Sequence, residues 1–169
     1  MQTEDNRRNC CVRTIGRRSA RAPFSAEPSR DLLFEPRAVP CKQAMMAAHL
    51  HFRLKEPEAA ERVALQALAL CEEFGTPALA AVCRATLGRA MADLGGAAEG
   101  VALLRDAAKV LDERVTRLGI TENLSWLAEA LALDGKINDA LGVTEDALRA
   151  TPNGLVNRPE AFRIRGTCG

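Results

Sequence analysis

The sequence predicts an all-α protein, built as a right-handed superhelical stack of antiparallel helix pairs. Of the 169 residues, 47% are hydrophobic, with one tryptophan and no tyrosine. Alanine and leucine, which are strong helix formers, supply most of these side chains. Glycine and proline fall between apolar runs of helical spacing. An offset of 40 residues relates similar positions along the chain, which indicates an internal repeat.

Residues 1–38 are rich in Arg, Ser and Pro without sustained periodicity, so we expect a disordered or poorly ordered lead-in. An organellar transit peptide is the alternative for residues 7–21, although that stretch lacks a clear amphipathic helix. Residues 1–40 carry eight Arg against five acids, whereas the rest of the chain has 15 basic and 17 acidic side chains. Because the repeat region offers no clustered basic face, nucleic-acid binding is not expected.

The domain from 39 to 169 divides into helical segments at six breaks. Pro57 and Pro77 suit the first turn of a helix, and the break glycines suit helix ends. The pattern predicts six helices in antiparallel pairs and a partial seventh over residues 159–166. The breaks lie at 55–57, 75–77, 95–96, 118–121, 134–136 and 151–154. The copies cover about 41–76, 77–116 and 117–154, with a partial fourth at 155–169.

The 40-residue offset brings side chains of similar size into register. Gly100 and Ala140 are equivalent small residues, and Leu87 and Leu127 are equivalent large ones. Small residues let two helices cross closely, so a bulky side chain at Gly100 is expected to push its helix pair open. One pair alone cannot bury both of its apolar faces, and stacking the pairs creates one continuous core.

The second copy contains "LGRAMADLGGAAEGVALLRDAAKVL", which resembles the tetratricopeptide (TPR) pattern in its Leu-Gly pair, its loop glycine and its later small positions. The usual first Trp and the Tyr are replaced, and 40 residues exceed the usual roughly 34. This departure points to TPR-like repeats with longer helices. The third copy matches at Leu127, Ala130, Leu131, Gly135, Ala140, Ala147 and Pro152.

A wider resemblance covers about residues 41–166. This run is similar to the C-terminal helical-repeat region of large bacterial signalling proteins, in which an adenylate cyclase or transcription-regulator domain precedes an ATPase module. The resemblance implies a non-catalytic interaction or sensing arm whose partner is a protein or peptide, such as a nucleotide-binding or cyclase domain of the parent polypeptide. A free-standing small TPR adaptor is the alternative.

The chain stops at "GTCG", where a further helix would be under way. We therefore expect a fragment or a truncated reading frame. An uncapped solenoid end presents core surface to water, which predicts self-association through the C-terminal end.

No sequence motif supports catalysis, a cofactor or a metal. The P-loop pattern is absent, and His49 and His51 stand two residues apart on a helix, which suits one metal poorly. The six cysteines form no Cys-x-x-Cys pair, so reduced or buried thiols are expected. No apolar run is long enough to cross a bilayer, and the N-terminus does not match a secretory signal. We expect a cytoplasmic protein that is not an enzyme.

One set of polar residues recurs with the repeat. His49, Arg89 and Glu129 occupy equivalent positions on the first helix of each pair. In TPR-type stacks those helices line a concave groove, so this row is expected to contact a peptide or a neighbouring domain. The competing interpretation is a salt bridge between Arg89 and Glu129 that only supports stacking. The predicted groove residues are Lys42, Met45, His49, Phe52, Ala85, Arg89, Asp93, Glu122, Ser125 and Glu129.

Overall fold

The computed structural model describes residues 38–114, 117–150 and 158–168. Within these ranges the chain forms seven helices and no strand, so the predicted all-α fold class is confirmed. Apart from Ala38, which is buried beside the first helix, the predicted lead-in lies outside the described residues, as does the break at 151–154. The helices are α1 (Val39–Arg53), α2 (Pro57–Glu73), α3 (Pro77–Asp93), α4 (Ala97–Arg114), α5 (Arg117–Leu133), α6 (Ile137–Ala150) and α7 (Arg158–Cys168).

The helices follow the predicted register closely. The first helices of the three pairs end at Arg53, Asp93 and Leu133, each 40 residues after the last. The break predicted at 118–121 is wrong, because α5 already runs through that stretch. Ile120, half-buried, and Thr121, buried, fit the same helical spacing as the residues that follow, so packing outweighs the low helix propensity of the Gly within the break.

Each turn from a first helix to a second helix needs one residue with a left-handed backbone. Gly95 and Gly135 supply it in the second and third pairs, with φ of 97° and 74°. The equivalent residue in the first pair is Lys55, which adopts φ of 63°. A side chain strains this conformation whereas glycine does not, so the repeat keeps the same turn even where the favoured residue is missing.

Two glycines let the helices of the second pair, α3 and α4, pack very closely. A Cβ atom added to Gly88 would lie 2.8 Å from the carbonyl oxygen of Gly100, and one added to Gly100 would overlap the carbonyl oxygen of Gly88. The equivalent residues of the third pair, Ala128 and Ala140, are fully buried. The prediction that small residues mark close helix crossings is therefore confirmed.

The stacking gives the solenoid an inner and an outer side. Each helix packs against its neighbour in the chain, and the first helices also contact one another: α1 with α3, α3 with α5, and α5 with α7. Within the described ranges, contacts of that extent do not join α2 to α4 or α4 to α6. Helices that meet across pairs lie on the shorter radius of a curved stack, so α1, α3, α5 and α7 form the inner face.

Three thiols share one buried cluster near the start of the stack. Cys41, Cys71 and Cys83 are free and buried, as predicted for thiols within apolar helical patterns. The sulfur atoms of Cys71 and Cys83 lie 3.9 Å apart. Burial raises the pKa of both thiols, so these cysteines are held in the unreactive protonated form.

No helix in the described part of the chain is both long enough and apolar enough to cross a membrane.

Candidate binding groove on the inner face

A chain of ion pairs runs across the inner face from α3 to α7. Arg89 on α3 is almost fully buried, and its Nε donates to Glu129 Oε2 of α5 at 3.1 Å. Its Nη1 lies 2.6 Å from Asp93 Oδ1, one turn further along α3. Glu129 also accepts a hydrogen bond from Arg163 on α7. The predicted Arg89–Glu129 pair is therefore present and belongs to a network that joins three successive first helices.

A second polar group links two helices that are not neighbours in the stack. Arg53 at the end of α1 places its Nη2 2.7 Å from Glu122 Oε1 of α5. The same carboxylate oxygen lies 3.6 Å from Nε2 of His49. Contact between α1 and α5 means that the inner face curves tightly enough for the first and third pairs to meet across the second.

Aromatic side chains fill the space beneath that polar group. The rings of Phe52 on α1 and Trp126 on α5 lie 5.1 Å apart in an edge-to-face arrangement, and His49 stacks obliquely on Trp126 at 5.4 Å. Ala85 of the intervening helix α3 belongs to the same buried cluster. Its small side chain leaves room for the two large rings to meet over α3.

His49 lies in surroundings that favour its neutral form. Burial lowers its pKa; the Glu122 carboxylate opposes that effect, and the Arg53 guanidinium adds to it. Nε of Arg53 donates a hydrogen bond to Nε2 of His49 at 3.2 Å. A ring nitrogen that accepts this bond cannot also carry a proton, so the geometry and the direction of the pKa change agree.

Open surface on the inner face remains on either side of Asp93. A depression of about 360 Å³ lies where α3, α5, α6 and α7 approach one another. A smaller one of about 210 Å³ is lined by Phe52, Lys55, Pro57 and Asp93. Both depressions therefore lie along the edge of the inner face where the first helix of a pair ends and the second helix begins. The larger depression is lined by Arg89, Asp93, Glu129, Ala132, Leu133, Ile137, Ile164 and Thr167.

The predicted groove residues divide between these features. Phe52, Arg89, Asp93 and Glu129 line the two depressions, whereas His49 and Glu122 belong to the polar and aromatic contact between α1 and α5. The remaining predicted residues lie apart from the open surface. Ala85 and Ser125 are buried, with the Ser125 hydroxyl donating to the carbonyl of Thr121 at 2.9 Å; Met45 packs against the thiol cluster, and Lys42 is half-buried on α1.

Sequence reasoning missed several residues that shape this face. Trp126 is the only tryptophan, so the sequence alone could have marked it as a candidate for a special packing position. Leu133 and Ile137 are large apolar residues that flank a turn and stay exposed. Arg163 is separated from Glu129 by 34 residues, not 40, so the repeat offset could not identify it.

The described residues include no group of three or more His, Cys, Asp or Glu side chains placed to hold a metal ion. The acids of the inner face are instead engaged with arginines. The arrangement can present apolar side chains beside fixed charges.

Comparison with known proteins supports the fold. The structure is similar to the crystal structure of a TPR-like protein from Chlorobium tepidum, with a TM-score of 0.66 and 16% sequence identity. The similarity covers 78% of this chain and 91% of that one. No protein-family model and no curated protein matches the sequence. The chain thus has a TPR-like α-solenoid fold.

Proposed function

We propose that this chain is a non-catalytic protein-interaction module that binds a segment of a partner protein on its inner face. The observation that carries the proposal is the depression of about 360 Å³ between α3, α5, α6 and α7. It combines exposed apolar side chains, Leu133 and Ile137, with the charges of Asp93 and Glu129. Apolar anchors beside a small number of fixed polar groups are what a groove needs to bind a peptide selectively.

The ion-pair network prepares this surface for binding. Arg89 contacts Asp93 and Glu129 within the chain, which fixes both carboxylates before a partner arrives. Side chains ordered in advance lose less conformational freedom on binding. Supporting the stack and presenting a binding surface are therefore compatible roles for the same arginine.

Peptide selection tests the proposal directly. A displayed library of random peptides is panned against the full chain, and the selected peptides are titrated against Leu133→Glu and Ile137→Glu variants. Both residues are exposed, so the substitutions disturb the groove more than the fold. Leu65→Glu on the exposed face of α2 is the matched control. We expect at least about tenfold weaker binding for the groove variants and unchanged binding for the control. Selected peptides whose affinity is unchanged in both groove variants would contradict the proposal.

Arg89→Ala separates the two roles of the network. If Arg89 helps to form the binding surface, the variant loses affinity for the selected peptides as well as stability. If the arginine only supports stacking, the free energy of unfolding falls while the peptide affinity of the folded variant stays the same. Titrations are done below the unfolding temperature of the variant, so that only folded protein is compared.

We further propose that the module is the interaction or sensing arm of a larger bacterial signalling protein that contains a cyclase or ATPase-type regulator. The resemblance of residues 41–166 to such repeat regions supports this proposal, and the partner is then a domain of the same polypeptide. A free-standing adaptor in the cytoplasm is the alternative. Mass spectrometry of the native polypeptide, with peptides from residues 81–149, distinguishes them. A mass far above 18.2 kDa with peptides from a nucleotide-binding region supports the arm, and a mass near that value supports the adaptor.

A further inference from the structure

Two acids and one base line the larger depression of the inner face. Asp93 and Glu129 carry the negative charges, and Arg89 carries the positive one. The Arg89 side chain is 8% exposed, whereas the side chains of Asp93 and Glu129 are 29% and 15% exposed. A partner segment in this depression therefore meets more carboxylate than guanidinium surface, and a positive charge on the partner is favoured there.

The acids that α5 presents to the inner face are paired with arginines from other helices. Glu122 pairs with Arg53 of α1, and Glu129 pairs with Arg89 of α3. Asp93 differs, because its ion pair within the described ranges is with Arg89 of its own helix, through Oδ1 at 2.6 Å. Asp93 also borders the open depression. The place of a base from another helix is therefore open to a base of the partner.

The repeat places an apolar surface beside this acid. Asp93 and Leu133 stand 40 residues apart, at the ends of the neighbouring first helices α3 and α5. Both line the depression, together with Ile137 at the start of α6. Leu133 and Ile137 are exposed. An aliphatic side chain of a bound segment can pack against these two residues while a neighbouring side chain reaches Asp93.

The smaller depression on the other side of Asp93 already has a cation of the chain. Lys55 lines it, and the Lys55 Nζ lies 5.9 Å from the centre of the Phe52 ring. A positive side chain of the partner would be repelled by this charge. The larger depression is therefore the better place for a basic residue.

We propose that the segment bound by this chain carries a basic side chain, arginine or lysine, close to an aliphatic one. The basic side chain pairs with Asp93, and the aliphatic side chain packs against Leu133 and Ile137. This inference rests on the proposed function and adds the chemistry of the partner. An acidic segment would be repelled by the carboxylates of Asp93 and Glu129, so the pair gives selectivity for charge.

Two displayed peptide libraries test the charge preference on the full chain. Their sequences are random except for one central residue, which is fixed as Arg in one library and as Glu in the other. Groove-dependent binders are identified with the Leu133→Ser/Ile137→Ser variant, which removes apolar surface without adding charge. We expect the Arg library to yield binders that lose at least about tenfold in affinity for this variant, and the Glu library to yield none of that kind.

A double-mutant cycle tests the contact with Asp93. A selected Arg peptide and its citrulline counterpart, which has nearly the same shape but no charge, are titrated against wild type and Asp93→Asn. Citrulline should weaken binding to wild type by about three- to tenfold and should change binding to Asp93→Asn by less than about twofold. Asp106→Asn on α4 is the matched control and should behave like wild type, because Asp106 is also paired within its own helix, with Lys109, but is exposed on a second helix.

The outcomes separate this inference from the proposed function. Groove-dependent binders that arise equally from the Glu library would overturn the inference alone, and so would an Arg–citrulline difference that is the same in wild type and Asp93→Asn. Binders that are unaffected by Leu133→Ser/Ile137→Ser, or two libraries without binders, would overturn both. The citrulline comparison on the wild-type chain does not depend on the stability of any variant: equal affinities of the two peptides there would overturn the inference by themselves.

Discussion

The ring of Phe52 on α1 lies 5.1 Å from the ring of Trp126 on α5, so the first and third helix pairs touch across the second. Side chains of the protein itself therefore fill the part of the inner face that lies between α1 and α5. The open area is displaced toward the turns and α7, where Leu133 and Ile137 lie. Binding at that edge leaves the aromatic contact intact.

Removing the Phe52 ring should loosen this contact. Phe52→Ala deletes a buried ring from the core and is expected to lower the free energy of unfolding by about 3 kcal/mol. Because Trp126 is the only tryptophan, its fluorescence reports the site directly, and a shift of the emission to longer wavelength should accompany the loss. Phe162→Ala on α7, whose ring is half-exposed, is the control and should cost much less. Equal losses in the two variants would contradict the assigned packing.

The crossing of α3 and α4 should tolerate no side chain at Gly100. A Cβ atom there overlaps the Gly88 carbonyl, so Gly100→Ala should lower the free energy of unfolding by about 1–3 kcal/mol through overpacking. Gly142 on α6 has open space around it, and Gly142→Ala should raise stability by up to about 1 kcal/mol through helix propensity. Urea denaturation measures both. The predicted close crossing is wrong if both variants gain stability.

The buried side-chain amide of Asn123 on α5 should make the fold less stable than an apolar side chain of similar size would. Its side chain is buried, and neither its Nδ2 nor its Oδ1 has a hydrogen-bond partner in the described structure. An unpaired buried amide costs about 1–3 kcal/mol, so Asn123→Leu, which is similar in size, should raise the free energy of unfolding by roughly 1–2 kcal/mol. Asn138→Leu on the exposed side of α6 is the control. A lower unfolding temperature for Asn123→Leu would show that the amide has a role that its contacts do not reveal.

The contribution of His49 to the stability of the fold should fall as the pH falls below about 7. Burial lowers the pKa of His49 from its ordinary value of 6.5, so the unfolded chain binds a proton at a pH where the folded chain does not. Unfolding therefore takes up protons, and stability decreases as the pH falls through and below that value. His49→Gln should flatten the dependence of the free energy of unfolding on pH between 7.5 and 5.5.

His51→Gln is the control for this measurement, because it removes one imidazole from α1 without altering the contact with Trp126. Comparing the two variants with wild type isolates the contribution of His49. A slope that is the same in wild type and His49→Gln would contradict the prediction.

Cys71 and Cys83 should resist alkylation in the folded protein. Burial raises the pKa of both thiols and excludes the reagent, so iodoacetamide should modify them at least about tenfold more slowly than in the chain unfolded by urea. Peptide mass spectrometry after timed quenching gives the two rates at each site. Comparable rates in both states would mean that the junction of α1, α2 and α3 opens readily.

The repeat register explains how far the sequence could predict the site. Arg89 and Glu129 were identified because they stand 40 residues apart at equivalent positions, and the structure joins them. Arg163 was not identified, because it lies 34 residues after Glu129 and not 40. Ser125 fitted the periodicity of the groove, but packing turned it inward, where its hydroxyl bonds to the carbonyl of Thr121.

By itself the sequence determined the helices, most of their breaks and the order of stacking. These features depend on the spacing of apolar residues within each helix and on small residues such as Gly88 and Gly100, which allow neighbouring helices to pack closely. Only the tertiary structure decided how sharply the stack curves. That curvature brings Phe52 to Trp126 and Arg53 to Glu122. It results from the packing angles between all successive helix pairs added together, and the residues of one pair do not fix it.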